Sequence, residues 1–76
     1  MTDQAALSDR LTKAMTRMAE AEHHISNQAA LVAGLERDGK DVQRSLVILT
    51  TLREAHARFQ QEVEDILKEL KRNAHP

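Results

Sequence analysis

Glu36-Arg37-Asp38-Gly39-Lys40-Asp41 decides how this chain folds, because nowhere else between Thr2 and Pro76 does the sequence tell a helix to stop. Gly39 has no Cβ and so can take the left-handed conformation that closes a final helical turn, and Arg37 just before it complements the negative helix end. Asp41 then offers a carboxylate to the free N–H groups of a new helix and offsets the positive end of its dipole, which makes it the expected N-cap. A stop and a start two residues apart leave room only for a tight turn, at about 37–41. Two long helices are therefore expected to fold back on each other, one over about 3–37 and one over about 41–72.

Working backwards from the turn, apolar residues recur at steps of three and four: Leu35, Val32, Ile25, Ala21, Met18, Ala14, Leu11 and Leu7, with Gln28 the one polar interruption. That spacing is a heptad seam. Met15 and Ala29 widen it on one side and Leu31 on the other, while Gly34 falls on the outer face. Thr2 is the expected N-cap, with Asp3 and Gln4 in the first turn. Working forwards, Val42, Leu49, His56, Val63 and Leu70 form one row and Ser45, Leu52, Phe59 and Ile66 the other, flanked by Leu46 and Leu67. Leu46-Val47-Ile48-Leu49-Thr50-Thr51 reads as a strand in isolation, but the helical period on both sides of it favours helix. Lys68, Lys71 and Arg72 suit the last turns. Asn73 to Pro76 reads as a frayed tail.

Folding about Gly39 pairs positions whose numbers sum to about 77: Leu35 with Val42, Gln28 with Leu49, Ile25 with Leu52, Ala21 with His56, Met18 with Phe59, Ala14 with Val63 and Leu11 with Ile66. Small residues meet large ones in several of these layers, as a filled core requires. Two rods alone cover only a two-per-heptad stripe, which leaves Met15, Leu31, Leu46, Ile48 and Leu67 in water. A second copy related by a two-fold axis would cover them, and these five are the expected oligomer interface of a four-helix bundle.

Composition narrows the function classes. A chain of 76 residues is one domain, 1–76, with too small an interior to be very stable without disulfides, metal or a partner. It has no cysteine, so disulfides and thiolate metal sites are excluded. Eleven basic and 12 acidic residues are interspersed at a net charge of −1, which speaks against general attraction to nucleic acid or an anionic membrane. No apolar run approaches the roughly 20 residues of a membrane span, and Met1-Thr2-Asp3-Gln4 lacks the layout of a signal peptide, so a cytoplasmic protein is expected. Phe59 is the only aromatic residue, which denies the chain a base-stacking platform.

Three clusters carry potential chemistry. Glu20 and His23 have the Glu-x-x-His spacing of di-metal bundles, but the register puts them opposite the seam. His56 occupies a seam position facing Ala21, with Glu22 and His24 on the flanks of that layer; doubled by a dimer, His24, His56 and Glu22 could bind Zn²⁺ or form a pH-sensitive joint. The ordinary reading is a polar layer that fixes register and partner choice, with no metal and no other cofactor. Arg10, Lys13 and Arg17 form a basic stripe that a two-fold bundle would present twice, as an RNA-binding dimer would use it; the nearby acids make a solvated face the ordinary reading. There is no phosphate-binding glycine loop, nucleophile elbow or buried carboxylate pair, so catalysis is not expected.

Glu22-His23-His24-Ile25, Leu35-Glu36-Arg37-Asp38-Gly39-Lys40-Asp41 and Leu67-Lys68-Glu69-Leu70 together resemble short, uncharacterised bacterial two-helix proteins with a Leu-Glu-Arg-Asp-Gly-x-Asp turn. The resemblance implies a bacterial helical hairpin and no particular activity. In plan the chain is also similar to the Rop-like plasmid-copy-number dimers that bind RNA. The expectation is thus an all-α antiparallel helical hairpin, coiled-coil in its packing, which dimerises and serves as a protein-interaction or regulatory module. The alternatives are RNA binding through Arg10, Lys13 and Arg17, and metal binding around His24 and His56.

Overall fold

The computed structural model describes residues 3–74, and within it the chain is an all-α antiparallel hairpin of α1 (Asp3–Arg37) and α2 (Gln43–Asn73). Thr2, the expected first cap, lies outside the described residues. The two helices make a rod measuring 60 × 14 × 14 Å.

The turn forms for the reason its sequence suggests. Gly39 sits at φ 68°, the one positive φ among the described residues. The Lys40 N–H donates to the Leu35 carbonyl at 2.9 Å and the Gly39 N–H to the Glu36 carbonyl at 3.1 Å. This pair of bonds is a Schellman motif, which satisfies carbonyls that the helix end would otherwise leave open. Helix two begins slightly later than expected. Its N-cap is Val42, not Asp41, and Val42 supplies no side-chain hydrogen bond. Asp41 still does part of the work: its Oδ1 accepts the Gln43 N–H at 3.0 Å from one position further out. Val42 is half-buried at the start of the seam, so packing fixes the residue at which the helix begins while the carboxylate serves it from outside.

Burial follows the seam. Leu7, Ala14, Ala21 and Val32 of α1 and Leu49 and Ile66 of α2 are buried, and the other apolar seam residues are half-buried. Leu7, Ala14 and Ile66 cluster with Leu11, Val63 and Leu70, which fixes the antiparallel register at the open end of the hairpin. The polar interruption in helix one is compensated, since Gln28 Nε2 donates to the Ser45 carbonyl at 3.0 Å across the seam. The stretch around Thr50 and Thr51 is helical, with Thr51 Oγ1 donating to the Val47 carbonyl one turn back at 3.0 Å. Gly34 is half-buried rather than open to solvent, and the atom nearest a Cβ built there is Arg37 Nη2 of its own helix, at 3.7 Å. At the far end α2 continues through Asn73, and the Ala74 N–H caps it on the Leu70 carbonyl at 3.0 Å.

Candidate functional site

The seam divides the hairpin into two flanks, and the residues singled out for chemistry distribute between them. Rows seven residues apart share one side of a helix. The row Ser8, Met15, Glu22 and Ala29 therefore lies on one flank, beside the row Leu46, Arg53, Gln60 and Leu67 of α2. The opposite flank carries Arg10, Arg17, His24 and Leu31, beside Ile48, Ala55, Glu62 and Glu69.

His56 faces the first flank. Its Nε2 lies 3.4 Å from Glu22 Oε2, and its side chain is 22% exposed. The approach is an ion-pair distance without hydrogen-bond geometry, and Nε2 is a covered polar atom with no hydrogen-bond partner. His24 is elsewhere. It is exposed and lines a shallow groove on the second flank with Arg17, Glu20, Ala21, Leu52, Ala55 and Phe59. The expected grouping of His24, His56 and Glu22 is therefore not assembled: residues two apart on α1 fall on opposite sides of the seam. The His23 ring stands 6.3 Å from that of His24 at a tilt of 57°, on the exposed surface. Among the described residues no group of three or more His, Asp or Glu is placed to hold a metal ion.

The basic stripe is interleaved with acids. Lys13 Nζ pairs with Asp9 Oδ2 at 3.0 Å, and Arg10 borders a groove shared with Glu69. Its cations therefore present no continuous positive face of the kind a phosphate backbone attracts. A hollow open to solvent lies over Asp65, Lys68, Glu69, Lys71 and Arg72 on α2, and none of the histidines among the described residues lines it.

What the surface does present is apolar. Met15, Leu31, Leu46, Ile48 and Leu67 are exposed at between 43 and 50%, and Val47 at 65%. The first five are the residues that the two-per-heptad stripe leaves over. Val47 was not among them because it projects from the back of α2 and belongs to no row beside the seam. Met15, Leu46 and Leu67 lie on the first flank, and Leu31 and Ile48 lie on the second, close to the turn. No helix is long and apolar enough to cross a membrane among the described residues. Compared with family models, curated proteins and solved structures, the chain matches none of them.

Proposed function

We propose that this protein is a self-associating helical hairpin that serves as a protein-interaction or regulatory module in the bacterial cytoplasm and carries out no catalysis. The observation that supports this reading is the imbalance between core and surface. Among the described residues Ile66 is the one large side chain that is fully buried, at 1% exposed, whereas six large apolar side chains are 43 to 65% exposed. Burial contributes about 25 cal/mol per Å² of apolar surface, so a hairpin that leaves its widest side chains uncovered forgoes much of its available stabilisation. A second copy recovers it, and the natural product is a homodimeric four-helix bundle.

Sedimentation equilibrium at micromolar concentration tests the proposal. The expected mass is twice the chain mass of 8.6 kDa, with helicity that falls on dilution. A fully helical species at the mass of a single chain would overturn it.

A further inference from the structure

We infer that the second copy lies alongside the first with both turns at the same end, seated on the flank of Met15, Leu46 and Leu67, so that Glu22 of each copy faces Arg53 of the other. This inference rests on the self-association proposed above and assigns its surface and orientation.

The first flank is complementary to itself in one orientation. If the turns lie together, the two-fold axis runs along the rod, and the α1 row of one copy meets the α2 row of the other at equal height. Glu22 then meets Arg53, Ala29 meets Leu46, Ser8 meets Leu67 and Met15 meets the flexible stem of Gln60. Each charge has its opposite, and each exposed leucine has a small side chain to fill against. Reversing one copy sets the height of Leu46 against that of Leu67, which brings Met15 onto a carboxylate and leaves Arg53 facing Gln60. Unpaired charge at a closing interface is costly, so the reversed arrangement is disfavoured.

Arg53 can make this contact without giving up another. Among the described residues it has no ion pair within its own chain, although Glu22 stands on the same flank and turns its carboxylate to His56. The second flank is a poorer seat. Beyond Leu31 and Ile48 it becomes a cationic row, Arg10 and Arg17, beside an anionic one, Glu62 and Glu69, and closing a copy onto it would desolvate all four. Size also fits: a side of the rod 60 by 14 Å projects about 840 Å². That is close to the ~800 Å² per partner of an ordinary stable interface.

The test is a mixing experiment on the full chain. Glu22→Arg and Arg53→Glu each put like charges across the interface at both symmetric contacts, and each should weaken self-association by about tenfold or more. In a mixed dimer of the two variants every contact is again between opposite charges, so an equimolar mixture should regain the mass of a dimer in sedimentation. A mixture no tighter than its components would overturn the assigned flank. The same rescue from Arg17→Glu mixed with Glu62→Arg would place the seat on the other side and would also overturn it. Orientation is read separately from a spin label at Lys40→Cys, the only cysteine in that variant. Turns together give a short inter-label distance, set by the ~8–10 Å spacing of packed helices. A distance near the 60 Å length of the rod would overturn the orientation. A wild-type chain at monomer mass would instead overturn self-association itself, so the two failures are told apart.

Discussion

His56 Nε2 and Glu22 Oε2 approach to 3.4 Å without the geometry of a hydrogen bond, which leaves a covered ring nitrogen unpartnered in the middle of the helix-helix seam. A covered polar atom without a partner costs about 1–3 kcal/mol. His56→Leu is therefore expected to raise stability by about 1 kcal/mol or more in chemical denaturation, since leucine fits a seam position opposite Ala21. Loss of the fold in this variant would show that the imidazole is required there.

Zinc should do little. His24 is on the other flank, so within one chain His56 and Glu22 lack the third and fourth ligands that a structural zinc site needs, and in the dimer inferred above the cation Arg53 of the other copy stands at each Glu22. Calorimetry with added Zn²⁺ and with chelator is expected to give the same melting temperature. A concentration-dependent rise that disappears in His56→Leu would contradict this.

The two glycines should respond in opposite directions. Gly39 holds φ 68° with open space around a would-be Cβ, so the cost of Gly39→Ala is purely that of its backbone conformation, about 1 kcal/mol. Gly34 is helical, and a Cβ there would meet Arg37 Nη2 at 3.7 Å, an ordinary contact. Gly34→Ala is expected to stabilise by up to about 1 kcal/mol. Thermal melts of the two variants that shift in the same direction would refute this account of the turn.

Gln28 and Ile66 mark the two extremes of the seam. The Gln28 amide donates to a Ser45 carbonyl that already belongs to a helix, so Gln28→Leu forgoes roughly 1 kcal/mol of hydrogen bond and gains apolar burial beside Leu49. A neutral to slightly stabilising effect is expected from urea titration. Ile66→Ala removes the most deeply buried large side chain and should cost about 2–5 kcal/mol, enough to unfold much of so small a protein at ambient temperature. An Ile66→Ala melt close to that of the wild type would mean that the open-end cluster contributes little.

Spacing and turn chemistry alone made most of the fold legible. Steps of three and four from Leu7 to Leu35 and from Val42 to Leu70 name the seam, and Gly39 names the stop, because both signals follow from local geometry. The start of α2 falls one residue later than turn chemistry implies, because Asp41 has the right side chain for a cap while Val42 has the right packing, and packing prevails. His24, offered only as an alternative ligand on the flank of the His56 layer, lies across the seam from Glu22. Height along the rod puts it level with His56, but a 3.6-residue turn sends Glu22 and His24 to opposite sides of the seam, and height alone does not say which. Val47 escaped because a residue on the back of a helix leaves no mark in a pattern that counts only rows beside the core.

The cluster of Leu7, Ala14 and Ile66 lies at the end of the rod opposite the Schellman turn. Mechanically, the hairpin is a beam fixed at both ends, by covalent chain at one and by this cluster of buried side chains at the other. The open ends of α1 and α2 cannot part without breaking that cluster, so the least restrained span is the middle, around Ala21 and His56. Transient separation of the helices should therefore start as a central bow, and the amides around His56 should exchange with solvent before those beside Ile66.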